Sequence, residues 1–267
     1  MREVIIRGLS GLLYVTLLLL AIFSFEHIYL AVFLLLGIGC LYEFLKLLGI
    51  KSFVPYVLLL GCVAIFNHFK LSRMATLIFL VLTITTNLFL IKNLVRPSER
   101  FITLSQKYIY TLCYLIGGVV FTILLPSYKG EYTSYLVASV FALIWINDTF
   151  AFIVGKNFGK RKLLERISPN KTVEGFLGGL VFACIASVII YEVTDLLSLQ
   201  LWLTVAITTS LFGTLGDLIQ SQLKRQAGVK DSGRIMPGHG GLYDRLDSII
   251  FASPFIYLFL IVLDYVP

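Results

Sequence analysis

Between Ser221 and Asp247 the chain reads S-Q-L-K-R-Q-A-G-V-K-D-S-G-R-I-M-P-G-H-G-G-L-Y-D-R-L-D, a polar stretch set between two apolar runs. Five cations, Lys224, Arg225, Lys230, Arg234 and Arg245, are interleaved with Asp231, Asp244 and Asp247, and Asp217 lies just upstream inside the apolar run. Lysine and arginine hold phosphate oxygens, aspartates hold Mg²⁺, and the glycines at 228, 233, 238, 240 and 241 let a backbone come close to either. A polyphosphate with its divalent metal requires that combination. A loop carrying basic residues only to set membrane topology would account for the cations but not for the aspartates and glycines.

Two aspartates, Asp217 among them, sit where an ionised group is expensive and usually functional, inside apolar spans. Asp148 lies in W-I-N-D-T-F-A-F, eight residues before Lys156, and Asp217 lies seven residues before Lys224. At the helical rise both are ~10–12 Å from the basic boundary, at similar depth. Asp244 and Asp247, spaced i, i+3, share one helical face. Carboxylates converging at one depth predict a metal site from Asp217, Asp244 and Asp247, with interhelical hydrogen bonding open as the alternative for Asp148. Asp217, Gln220, Ser221 and Lys224 fall on one helical stripe and are expected to line a common cavity wall.

A second stretch, K-N-F-G-K-R-K-L-L-E-R-I-S-P-N-K-T-V-E-G-F-L-G-G from Lys156 to Gly179, places Ser168 before Pro169 and Lys171-Thr172 at the start of a span. Free backbone N–H groups at a helix start favour an anion, and Lys171 and Thr172 strengthen that. No Walker A spacing occurs. Beside the 217–247 stretch, this segment reads as the second half of a nucleotide site. For His239, in P-G-H-G-G, a phosphate contact, proton transfer and a loop hydrogen bond all stay open.

The elements that position these residues follow from composition. Hydrophobic residues make up 58% and charged residues 14%, against about 25% charged in soluble domains. Apolar runs of about twenty residues recur, each long enough for a bilayer. We expect an all-α polytopic membrane protein of about nine transmembrane helices, near 4–24, 28–48, 53–70, 73–93, 107–125, 133–155, 171–191, 199–220 and 248–265. With a cytoplasmic N-terminus, every Lys and Arg except Lys70, Arg73 and Lys129 falls on the inner side, so the C-terminus is expected outside and the polar cavity at the cytoplasmic face. The first apolar run lacks an A-x-A-like site and leads straight into further spans, so it reads as a span and not as a cleaved signal.

Residues 1–130 are expected to be scaffold. Residues 131–267 are the expected catalytic region, with cytoplasmic loops at 156–171 and 221–247. Glu43, three residues before Lys46, reads as half of a helix-surface pair. Cys40, Cys62, Cys113 and Cys184 lie in apolar runs without a CxxC pair and read as small helix residues. The net charge of +7 suits anionic lipid surfaces, and nucleic acid is not implied.

The run from Ser221 to Asp247 resembles the signature of the phosphatidate cytidylyltransferases, or CDP-diglyceride synthases. The match covers Ser221, Lys224-Arg225, Lys230-Asp231, Gly233, Pro237, His239-Gly240-Gly241, Asp244-Arg245 and Asp247, with the family's spacing and one conservative departure, Met236. S-P-N-K-T-V-E-G at 168–175 resembles a motif of the same family. The resemblance implies an enzyme of the inner membrane, in a bacterium, that joins CTP to phosphatidic acid, giving CDP-diacylglycerol and pyrophosphate. It also implies Mg²⁺, a monovalent cation such as K⁺ and a homodimer. In these terms Asp217, Asp244 and Asp247 would hold the metal, and Lys224, Arg225, Lys171 and Ser168 the CTP phosphates. Asp148 would orient a metal water or the second cation, and Arg245 and Lys230 would receive the lipid phosphate.

Three rivals make different demands. A CTP-dependent polyprenol or phytol kinase would not call for the intact Lys-Arg, Lys-Asp, His-Gly-Gly, Asp-Arg and Asp run. A CDP-alcohol phosphotransferase needs D-G-x-x-A-R and aspartates at i, i+4, which are absent. A secondary transporter would spread its polar residues across the bilayer, with repeat symmetry.

Overall fold

The structure, a computed structural model, describes residues 2–69, 72–95, 102–238 and 240–263. Lys70, Arg96 and Arg100, which enter the charge partition, and His239 lie outside them. The chain forms α1 (Arg2–Ile22), α2 (Glu26–Leu48), α3 (Val54–Val63) extended by a π-helical turn (Ala64–His68), and α4 (Arg73–Val95). Next, α5 (Leu104–Ile109) passes through π-helical Tyr110–Ile116 into α6 (Gly117–Leu124). Then come α7 (Ser134–Phe158), strands β1 (Lys162–Leu164) and β2 (Ser168–Thr172), α8 (Val173–Thr194), α9 (Leu199–Gln226) and α10 (Tyr243–Leu263).

Seven of the helical rods are long and apolar enough to cross a bilayer, and the segments Arg7–Ile22 and Val54–Asn67 are shorter apolar helices. The protein is a multi-pass integral membrane protein, and among the described residues a helical rod falls on each of the nine expected spans, seven of them of spanning length. The boundaries near the polar stretches differ. α9 runs on to Gln226, because nothing breaks it before Gly228 turns left-handed at φ 69°. α10 begins at Tyr243 and not near 248, so Lys224, Arg225, Asp244 and Asp247 are helical residues and the connecting loop shrinks to 227–242.

The expected 156–171 loop is also reorganised. α7 continues to Phe158, and an antiparallel hairpin follows, with Leu164 paired to Ser168 and Lys162 to Thr172. Pro169 pushes Ser168 toward extended backbone, and Thr172 accepts the Gly175 N–H at 3.1 Å as the N-cap of α8.

Helices in lipid gain nothing from hydrophobic burial against one another, so small residues that allow close packing decide their contacts. A Cβ on Gly175 would stand 2.7 Å from the Ala151 carbonyl oxygen, and one on Gly179 would stand 2.6 Å from that of Asn147, so α7 and α8 touch backbone to backbone. A Cβ on Gly118 would meet the Ile250 carbonyl at 2.2 Å, which joins α6 to α10. One on Gly216 would lie 2.9 Å from the Asp247 carbonyl, which joins α9 to α10. A buried aromatic group ties in α2 and the π-helical segment: Phe44 meets Tyr114 and Tyr243 edge-on, and Tyr114 meets Phe251.

Candidate active site

Helices α7 to α10, with β2 and one side of α1, enclose a cavity of about 870 Å³. Ten of the residues singled out by sequence line it: Asp148, Ser168, Lys171, Thr172, Asp217, Lys224, Asp231, Asp244, Arg245 and Asp247. Arg225 and Lys230 are exposed and do not line it. Ser221 does not line it either, but its hydroxyl donates to Asp217 Oδ1 at 3.3 Å. The expected α9 stripe holds for Asp217, Gln220 and Lys224.

One end of the cavity is built around Lys171. Its ammonium forms an ion pair with Asp217 Oδ2, and it also feels the charges of Asp148 and Asp247. Burial disfavours the charged lysine, but Asp217 foremost, then Asp148 and Asp247, outweigh that and hold its pKa above the ordinary value. Asp148 accepts from Asn147 Nδ2 at 3.2 Å, and Asp247 Oδ1 accepts from Ser248 N at 2.7 Å.

The other end is built around Asp244, whose carboxylate is fully engaged. Oδ1 accepts from Lys224 Nζ at 2.7 Å and Gln220 Nε2 at 3.0 Å, and Oδ2 accepts from Ser232 N at 3.0 Å and Gly241 N at 2.9 Å. The carboxylates that sequence reasoning grouped as metal ligands thus line one cavity but have different partners. Asp217 and Asp247 lie with Asp148 around Lys171, while Asp244 ties α9 to the start of α10.

Among the described residues, no three His, Cys, Asp or Glu side chains are already gathered to hold an ion. The donor chemistry nevertheless fits a hard divalent cation, since all its candidates are carboxylate oxygens. One ammonium set among three carboxylates marks a place of excess negative charge where a cation is favoured. Asp217 and Asp247 fit that role best.

Thr172 lines the cavity, but its hydroxyl is spent on the helix cap. Glu174 turns back to accept from Lys160 N at 2.9 Å and Arg161 N at 3.1 Å. The expected anion site at the start of α8 is therefore partly filled by the chain's own groups, leaving Ser168 and Lys171, the latter paired with Asp217, as its contributors.

The largest correction concerns Glu43. It is fully buried and does not form a helix-surface pair. Its Oε1 accepts from Leu242 N at 3.1 Å, and its Oε2 accepts from Tyr243 N at 2.9 Å and from Ser232 Oγ at 2.8 Å. The glycines beside it gain a second reason: a Cβ on Gly233 would stand 2.0 Å from Glu43 Oε1, and one on Gly241 would stand 2.3 Å from Oε2. The signal was available, because Glu43 is a carboxylate within an apolar span, the criterion that picked out Asp148. α1 holds the loop and the first turn of α10 as well: Ser10 Oγ donates to Pro237 O at 2.9 Å, and Tyr14 OH to Arg245 O at 3.2 Å.

The comparisons with known proteins bear on the family of the chain. The profile of the cytidylyltransferase family matches residues 5–263. The phosphatidate cytidylyltransferase of Bacillus subtilis (strain 168) is 43% identical over 192 residues, 71% of this chain and 69% of its own. That of Staphylococcus saprophyticus is 36% identical over 250 residues, 91% of this chain and 90% of its own. That of Staphylococcus haemolyticus (strain JCSC1435) reaches 46% over 129 residues, 48% of this chain and 49% of its own. With the profile matched almost end to end and a relative aligned over nearly its whole length, the chain belongs to the cytidylyltransferase family.

Proposed function

We propose that the chain is a phosphatidate cytidylyltransferase whose reaction takes place in this cavity. An oxygen of the phosphatidate phosphate attacks the α-phosphorus of CTP and forms a new P–O bond. The α–β phosphoanhydride bond breaks, pyrophosphate leaves, and CDP-diacylglycerol remains in the membrane. The attacking phosphate monoester is an adequate nucleophile, so no covalent enzyme intermediate is required. The difficulty is to bring two anions together and in line.

The observation that carries this reading is the cavity itself. It gathers Lys171, Lys224 and Arg245 with Asp148, Asp217 and Asp247, and its wall also includes Trp145 and Phe152 of α7. Phe152 is 68% exposed on α7, a helix long and apolar enough to cross a bilayer, which supports a polar site placed beside the acyl region. A soluble nucleotide and a lipid phosphate can therefore share one chamber, whose volume is in the range of ligand sites.

In this reading Ser168, Lys171 and Lys224 hold the triphosphate, and Arg245 receives the lipid phosphate. Asp217 and Asp247 would hold Mg²⁺, with Asp148 beside them. Bound there, Mg²⁺ would neutralise charge on the triphosphate and on the leaving pyrophosphate. The charge partition supports a cavity that opens to the cytoplasm. The family resemblance extends the reading to a monovalent cation such as K⁺ and to a homodimer.

The direct test is pyrophosphate release by purified protein in detergent with CTP and Mg²⁺. We expect release when phosphatidic acid is added and none with diacylglycerol, which lacks the attacking phosphate. Equal release with both lipids, or with neither, overturns the assignment.

A further inference from the structure

Glu43 is a buried carboxylate in the half of the chain that holds no expected site residue. Glu43 lies on α2 and does not line the cavity. Its three partners are all donors: the Leu242 and Tyr243 N–H groups that open α10, and the Ser232 hydroxyl. The same short segment also serves Asp244, which takes the next N–H back, from Gly241, and the N–H of Ser232. Two carboxylates thus divide the free N–H groups at 241, 242 and 243 between them, and each also grips Ser232. Negative charge at a helix N-terminus is favourable, and here it satisfies donors that would otherwise be buried without partners. The remaining oxygen of Asp244 holds Lys224 at 2.7 Å, and Lys224 projects into the cavity.

We propose that Glu43 is a positioning residue: through Ser232 and the first turn of α10 it fixes Asp244, and through Asp244 it fixes the Lys224 ammonium that meets the nucleotide phosphates. The linkage explains why Gly233 and Gly241 cannot carry a side chain, since the Cβ of either would displace the Glu43 carboxylate. It also gives the N-terminal half a part in the reaction. Glu43 touches no reacting atom, so its effect is confined to what Lys224 does. The inference rests on the reading of the cavity as a site where CTP meets a lipid phosphate.

The test is a double-mutant cycle on purified protein, with steady-state kinetics in CTP and in phosphatidic acid. Glu43→Gln keeps the shape but sets an amide N–H against a backbone donor. Ser232→Ala removes only the hydroxyl link and leaves Glu43 on α10. Lys224→Met removes the ammonium.

For Glu43→Gln we expect kcat/KM for CTP to fall about tenfold while KM for phosphatidic acid stays within about twofold. Ser232→Ala should change the same parameter in the same direction, by less. In the Lys224→Met background, Glu43→Gln should cost no further factor, because residues acting through one group are not additive. Multiplying effects in the double variant, or equal damage to both substrates, would mean that Glu43 only supports the fold, and would overturn the proposal. If Glu43→Gln does not fold, Ser232→Ala carries the same cycle. If the wild-type protein turns over no CTP with phosphatidic acid, the reading of the cavity fails, and the proposal with it. Wild-type turnover with additive variants sinks the proposal alone.

Discussion

Replacing Gly241 with alanine adds one methyl group at the tightest point of the loop. Gly241 has no left-handed φ, so alanine can adopt its backbone and the cost is steric alone. The new Cβ would lie 2.0 Å from Ser232 Oγ, 2.3 Å from Glu43 Oε2 and 2.7 Å from the Gly233 nitrogen. The hydroxyl can rotate away only by giving up its 2.8 Å bond to Glu43, a bond to a charged group worth about 1.5–3 kcal/mol. The Gly233 nitrogen is backbone and must shift with its chain, and overpacking of this kind costs about 1–3 kcal/mol. Together Gly241→Ala should cost about 2.5–6 kcal/mol at this loop, taking the two contributions as additive.

A loss of that size, expressed as misplaced cavity residues, lowers kcat/KM by at least about a hundredfold. Gly228→Ala is the comparison. Gly228 has φ 69° and open space around it, so only the left-handed backbone is penalised, at about 1–2 kcal/mol. Thermal unfolding in detergent and CTP turnover of the two variants measure the difference. Gly241→Ala with wild-type turnover, or with a milder effect than Gly228→Ala, would refute the packing argument around Glu43.

Three other outcomes are expected. Asp244→Asn breaks the pair with Lys224, whose side chains are only 7% and 12% exposed; it should destabilise the protein by about 3–5 kcal/mol in unfolding measurements. Arg225→Ala and Lys230→Ala, at exposed positions away from the cavity, should keep turnover within about threefold, since surface changes rarely exceed ±0.5 kcal/mol. Asp217→Asn should raise the Mg²⁺ concentration needed for half-maximal turnover by at least about tenfold, the scale on which changes around a bound metal act, while chelation silences the wild type reversibly.

Much of the fold was legible because lipid imposes a simple rule: apolar runs of spanning length become helices. The helical rods of the described residues were located that way, including the two shorter ones, Arg7–Ile22 and Val54–Asn67. The ends near the charged stretches were misplaced, because hydropathy sees charge as an end to a span whereas α9 carries Lys224 and Arg225 in its last turn. The hairpin at 162–172 was invisible to hydropathy, and only Pro169 hinted at it. Asp148 and Asp217 stood out because a carboxylate inside an apolar span demands a reason, whereas Lys171 was read only as a cation at a helix start, and no spacing revealed its ion pair with Asp217. The partners of Asp244 were not legible, since its spacing to Asp247 reports a shared face but not which groups each carboxylate meets. Glu43 was missed because Lys46 offered a ready local partner, while its actual partners lie about two hundred residues on, at Ser232, Leu242 and Tyr243. Local spacing cannot reveal a contact made by tertiary packing.

The measurement that bears most directly on the account follows CTP labelled at either the α- or the γ-phosphate, incubated with the purified protein, phosphatidic acid and Mg²⁺. The account predicts that α-label enters the lipid and γ-label leaves as pyrophosphate. Lipid labelled from the γ-phosphate alone would mean phosphoryl transfer to an acceptor and contradict the reaction, and label in lipid from neither position would contradict the enzyme.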